Sequence, residues 1–262
     1  MIAPSPAVPY YLAVGGEEEI FLAAAGAGLP IMLKGPTGCG KTRFVEHVAA
    51  KLGRRLITVS CNEDTTATDL LGRHLFVGGE TVWQDGPLTR AVRQEAVVYL
   101  DEIAEARSDA MVAIHPLTDH RRELYLDRTG ETLKAGPGFL LVISYNPGYQ
   151  KSLRELKPST RQRFVGIHFG YPEEEKEIAV IRAESGIDAK PARALVRLAA
   201  KIRALKDFSL LEPPSTRLLI SAARLAASGL SPRTAAFAAL AEPLTDDADA
   251  RAALKQLIDL AL

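Results

Sequence analysis

Charge of one sign is what this chain lacks first: its 262 residues carry 32 Lys plus Arg against 32 Asp plus Glu, a formal net charge of zero. No global field then draws it to nucleic acid or to an anionic membrane, and any basic function must be local. Cysteine is almost absent, with Cys39 and Cys61 alone, which excludes a disulfide scaffold. Long apolar runs are missing too: AVVYL and GFLLVIS are strand-sized and fall short of the ~20 residues a membrane helix needs. The opening MIAPSPAVPYY has neither the basic start nor the apolar core of a signal peptide. A reducing cytoplasm, without membrane insertion, is the expectation. The five histidines, His47, His74, His115, His120 and His168, show no ligand spacing, so no structural zinc is expected.

What is present is a core-forming 47% of hydrophobic residues in an ordered pattern. From Pro30 to about Phe169 the runs IMLK, LITVS, VVYLD, FLLVIS and FVGIHF alternate with segments of helical character, the pattern of a parallel sheet flanked by helices. Their apolar residues are nearly continuous, as in strands covered on both faces. Two stretches interrupt the alternation: β-formers surround Gly78 and Gly79 in one, near residues 73–84, and Thr129 and Gly130 in the other, near 122–135. Both are predicted as inserted β-hairpins. After Pro172 the chain is rich in Ala, Leu, Arg and Glu, and Leu195, Leu198, Ile202 and Leu205 recur at helical spacing. Asp188, the pair Pro213 and Pro214, and Ser231 with Pro232 mark helix starts. The expectation is an α/β nucleotide-binding domain over 1–171 and a helical domain over 172–262.

The chemistry begins at GPTGCGKT. Gly35, Gly40, Lys41 and Thr42 satisfy the phosphate-loop spacing, in which backbone N–H groups wrap phosphate oxygens and the next helix points its positive end at the anion. Pro36, Thr37, Gly38 and Cys39 complete the loop and Arg43 follows it. Lys41 would reach the β- and γ-phosphates of ATP, and the Thr42 hydroxyl would ligate Mg²⁺. Cys39 either fills the loop as a small side chain or, with its thiolate favoured by Lys41, makes binding sensitive to oxidation.

Some sixty residues on, AVVYLDE places Asp101 and Glu102 at the carboxyl end of a buried strand, where ligands sit in an open α/β sheet. Asp101 would bind Mg²⁺ through its hydration shell and Glu102 would polarise the attacking water. Asn146 ends the run LLVISYNPG, on a strand expected beside that of Asp101; its amide could bond the γ-phosphate and the water, or Asn146-Pro147-Gly148 is a plain turn. In RELKPSTRQRF, Arg154, Lys157, Arg161 and Arg163 gather ahead of the last β run. They are either a nucleic-acid patch, against which the zero net charge and lack of interleaved aromatics argue, or the source of an arginine finger for a neighbouring subunit's nucleotide. Arg217 opens a helix of the second domain.

The order of these elements resembles the AAA+ ATPases: GPTGCGKT as Walker A, VVYLDE as Walker B, Asn146 as sensor 1, Arg161 or Arg163 as finger and Arg217 as sensor 2. The two hairpins resemble insertions of the MoxR branch. Within it, LPIMLKGPTGCGKTRFVEHVA, ETVWQDGPLTRAVR, IHPLTDHRRELYL and SYNPGYQKSLRELKPSTRQRF look like the CbbQ/NorQ/NirQ group, with a lean toward CbbQ. The resemblance implies a homo-hexamer working with a von Willebrand factor A partner of CbbO or NorD type. Its client would be inhibited Rubisco for CbbQ, reached in the cytoplasm or at carboxysomes, and nitric oxide reductase during maturation for NorQ. It also matches Arg163, just before Phe164, to the finger, leaving Arg161 to the same phosphates or the subunit interface.

Two uses of ATP follow. In one the ring is a mechanochemical motor whose lid and hairpins move a client, with Leu75, Phe76, Val77 and Trp83 facing a pore or partner, unless they pack on their own domain. In the other, ATP binding assembles the ring and hydrolysis resets it. The complete hydrolytic set of Glu102, Asn146 and an Arg pair favours the first. A DNA-acting role lacks a recognition module or basic stripe.

Overall fold

In the computed structural model, residues 8–147, 156–205, 210 and 212–262 are described; Gly148 and Arg154 lie outside them. The chain packs as two units, the first formed by 1–35 with 41–168 and the second by 36–40 with 169–262.

Among the described residues, the first unit is built on nine strands: β1 (Ile31–Lys34), β2 (Leu56–Ser60), β3 (Gly72–Val77), β4 (Glu80–Asp85), β5 (Val97–Asp101), β6 (Glu123–Leu126), β7 (Glu131–Lys134), β8 (Leu140–Tyr145) and β9 (Val165–His168). The five apolar runs form one parallel sheet in the order β2-β5-β8-β1-β9, the expected α/β fold. Central strands β5 and β8 are buried almost throughout, because helices cover both faces and leave no polar side to alternate with. Edge strand β2 keeps Thr58 and Ser60 exposed, since an edge has water on one flank. The helix Lys41–Lys51 turns Phe44, Val45, Val48 and Ala49 inward, and the Phe44 ring meets Phe21 edge-on at 5.4 Å.

This strand order decides where the site lies. It sets β5, β8 and β1 side by side with their carboxyl ends together. Gly35 after β1, the acid that ends β5 and the amide that follows β8 therefore emerge at one edge.

Both predicted hairpins are present, β3 with β4 and β6 with β7. Gly78 and Gly79 turn the first with φ of +61° and +91°, values an L side chain adopts only with strain. Trp83 packs on the core of its own unit, while Phe76 and Val77 stand 78% and 60% exposed. Arg93 ties the hairpins to each other: its guanidinium meets Asp85 of β4 at 2.9 Å and Glu131 of β7 at 2.5 Å. At the root of the second hairpin the Arg122 guanidinium donates to the carbonyls of Gly28, Gly136 and Phe139.

The second unit is helical: its helices include Glu174–Ser185, Ala189–Ala204, Thr216–Ala227 and Ala248–Ala261. Leu195, Leu198 and Ile202 join its core as their spacing predicts, whereas Leu205 lies past the helix end, 39% exposed. Asp188 precedes one helix, Ser215 caps the helix at Thr216 by accepting from Leu218 N–H, and Ser231 caps Pro232–Ala236 by accepting from Thr234 N–H. Glu177, 1% exposed, receives both Arg203 nitrogens at 2.8 Å and the Thr216 hydroxyl at 2.6 Å. The Arg203 guanidinium also lies 4.0 Å from the centre of the Tyr171 ring. Among the described residues no helix is long and apolar enough to cross a membrane.

Candidate nucleotide site

Lys41 is the first residue of its helix and is 6% exposed. Its Nζ donates to Gly35 O at 2.8 Å and to Asn146 Oδ1 at 2.7 Å. A buried ammonium must be given acceptors, and these two come from the ends of neighbouring strands. Gly38 and Gly40 have φ of +67° and +100°, so the loop between takes a course that needs glycine. Cys39 is 6% exposed, consistent with its packing reading. Pro36, Thr37, Gly38 and Gly40 are partly exposed, and Arg43 is exposed with Glu46 at 3.5 Å.

Asp101 is held at both of its oxygens. Its Oδ2 accepts from Thr42 Oγ1 at 3.1 Å, and its Oδ1 accepts from Tyr99 OH at 2.7 Å and from Ser144 Oγ at 2.5 Å. Three hydroxyls from three elements fix one carboxylate. The oxygens of Thr42 and Asp101 are hard donors of the kind Mg²⁺ takes, and they stand within hydrogen-bond distance of each other, so the residues present fit that ion.

Glu102 leaves β5 in the left-handed region, φ 56° and ψ 41°. For a residue with a Cβ this is a strained conformation, held only where the surroundings over-determine it. Its N–H donates to Ser144 Oγ at 3.0 Å, and the Asn146 amide donates to its Oε1 at 3.4 Å. A carboxylate and an amide are thus presented together next to Lys41.

Tyr99 and Ser144 escaped the sequence reading because, inside apolar runs, they pass for strand formers. A signal was available: each lies two residues before a site residue, Asp101 and Asn146, and period-two alternation puts such pairs on one face of a strand. Burial and the Asp101 charge push the Tyr99 hydroxyl far above its ordinary range, and burial with the charges of Asp101 and Glu102 raises the Cys61 thiol to about 12. Both stay protonated beside the acids.

Arg161 and Arg163 lie apart from this group, at and just after the helical turn Pro158–Arg161. Arg163 is exposed and sits 3.8 Å from Asp119, which Arg121 also holds at 2.6 Å. Beside them His115 Nε2 is 3.3 Å from Thr160 Oγ1, its pKa lowered by burial and by the charges of Arg163 and Lys157. Arg217 is exposed near the start of its helix in the second unit.

Residues 30–164 match the AAA domain of the dynein-related subfamily, and residues 177–261 match the CbbQ/NirQ/NorQ C-terminal domain. Protein NorQ of Paracoccus denitrificans is 57% identical over 95% of this chain and 92% of its own length. Denitrification regulatory protein NirQ of Pseudomonas aeruginosa is 56% identical over 97% and 98%, and protein CbbQ of Hydrogenophilus thermoluteolus 56% over 94% and 92%. Among solved structures, a mutant RuvB of Thermotoga maritima superposes with a TM-score of 0.59 at 13% identity, over 98% of this chain and 73% of that one, a likeness of fold alone. With Gly35, Lys41 and Thr42, the paired acids and the amide gathered at one sheet edge, the chain is an ATPase of the AAA+ class and belongs to the CbbQ/NirQ/NorQ family.

Proposed function

We propose that the chain hydrolyses Mg²⁺-ATP as one seat of a ring-shaped motor. The observation that carries this reading is the convergence of Lys41, Asn146 and Glu102 beside the Thr42–Asp101 pair. Gly35 to Arg43 wrap the phosphates, Lys41 neutralises their charge, and Thr42 with Asp101 would hold Mg²⁺. When bound, the ion would supply further neutralisation of the phosphate charge. Glu102 takes a proton from the attacking water, which Asn146 orients from the adjacent strand. Arg163 acts on the nucleotide of a neighbouring subunit, with Arg161 at the same phosphates or the interface, and Arg217 acts from the helical domain, 172–262. The exposed Phe76 and Val77 support the use of the first hairpin as a contact with a partner.

The deciding experiment is Glu102→Gln. It is expected to retain ATP and lose Mg²⁺-dependent turnover by at least about a hundredfold; full turnover in that variant ends the proposal. Remodelling of a client at the normal rate by the Glu102→Gln ring would instead favour ATP-gated assembly.

The family also suggests a von Willebrand factor A partner of CbbO or NorD type and a homo-hexamer. The lean toward CbbQ gains nothing from the identities, since NorQ and NirQ relatives stand at 57% and 56% beside 56% for CbbQ. Reactivation of inhibited Rubisco and activation of nitric oxide reductase are therefore to be assayed in parallel, each with its own partner protein.

A further inference from the structure

Ser144 sits in the middle of the catalytic edge without belonging to the phosphate loop or to the acids. It is fully buried in β8, at 0% exposure, where an unbonded hydroxyl would carry a desolvation cost. Its single proton goes to Asp101 Oδ1 at 2.5 Å, and its oxygen accepts the Glu102 N–H at 3.0 Å. The hydroxyl rotor is thus fixed from both sides, and one oxygen joins the side chain of one acid to the backbone of the next.

The second bond is the informative one. β5 pairs with β8 as far as Leu100 opposite Ile143, and the chain then leaves the sheet through the left-handed Glu102. At that point the backbone N–H has left the strand ladder and needs another acceptor. Ser144 supplies the acceptor, so the turn that aims the Glu102 carboxylate is held by a side chain of the neighbouring strand. The same strand leads into Asn146, whose amide reaches Glu102 Oε1 at 3.4 Å. Backbone and carboxylate of Glu102 are both referred to β8.

We infer that Ser144 is a positioning residue for hydrolysis: it holds Glu102 in its left-handed turn and Asp101 in its orientation, so that general base and metal-holding acid keep one mutual geometry. The inference rests on the proposed roles of Glu102 and Asp101. Ser144 acts through the two acids it bonds, so its effect belongs in the chemical step and not in ATP affinity.

The test is steady-state kinetics with direct ATP binding on the full chain. Ser144→Ala is expected to lower kcat about tenfold while the ATP dissociation constant changes less than about twofold. Ser144→Thr, which keeps the hydroxyl, recovers most of the loss. Should the alanine variant melt below the assay temperature, Ser144→Cys, close in shape with a weak donor and acceptor, carries the same comparison. An unchanged kcat in the hydroxyl-free variant, ATP affinity lost in proportion to kcat, or a Ser144→Thr variant that melts like wild type yet stays as slow as alanine, each overturns the inference. Failure of the underlying reading is separate, because Glu102→Gln with full turnover removes Glu102 itself whatever Ser144 does.

Discussion

Lys41 Nζ stands 2.7 Å from Asn146 Oδ1, although 105 residues separate them in the chain. The ammonium that would face phosphate is thereby registered against the strand that also contacts Glu102. Under the proposed roles, binding and chemistry would share Asn146.

Asn146→Ala removes an oriented amide and leaves Gly35 O as an acceptor for Lys41. A fall in kcat of about a hundredfold is expected, with ATP binding weakened far less. Single-turnover hydrolysis beside equilibrium binding measures both; proportional losses would place Asn146 in binding alone.

In the helical unit, Arg203→Ala leaves Glu177, at 1% side-chain exposure, as a buried carboxylate keeping only the Thr216 hydroxyl of the partners described. Removing one partner of a buried pair costs about 3 kcal/mol. Denaturant unfolding checks it, and because Thr216 immediately precedes Arg217, ATPase activity is expected to fall as well. A variant as stable as wild type would show the pair to be incidental.

Gly86 has an ordinary φ of −72°, so its constraint is space and not conformation. A Cβ there would fall 2.3 Å from Leu70 O and 2.8 Å from Gly72 N, backbone atoms that cannot swing aside. Gly86→Ala is expected to lower stability by about 2 kcal/mol and to shift the first hairpin, read by thermal melting and by Trp83 fluorescence.

His115 supplies a pH dependence. Its folded pKa lies below the ordinary 6.5, so in the window beneath that value the unfolded chain binds more protons than the folded one. Stability is then complete above about 6.5 and declines as pH falls toward the folded pKa. Melting temperature followed from about pH 7.5 down to about 5.5 should drop, and His115→Gln should flatten that slope. An identical slope in the variant would assign it to the carboxylates.

Much of this was legible in the chain. The five sheet strands announced themselves by nearly continuous apolar runs, the hairpins by Gly78-Gly79 and Gly130, and the phosphate loop by its spacing between a strand and a helix. Asn146 is expected on a strand beside that of Asp101, and β5 and β8 are neighbours. What could not be read was set by long-range pairing. The Ser144 bridge that holds the left-handed Glu102 and the bonds of Glu177 to Arg203 and Thr216 join residues 26 to 42 positions apart, and nothing local in a Ser, a Glu or an Arg tells which distant group it will meet. The client belongs to neither source: two of the related names differ by a single point of identity, 57% against 56%.

The guanidinium of Arg93, shared between Asp85 and Glu131, makes the helix Pro87–Arg93 a common post for both hairpins. Each hairpin interrupts the α/β pattern at its own place, yet one cation meets an acid from each. A chimaera that exchanges one hairpin with a relative therefore keeps this tie only if the incoming segment brings an acid to the same place.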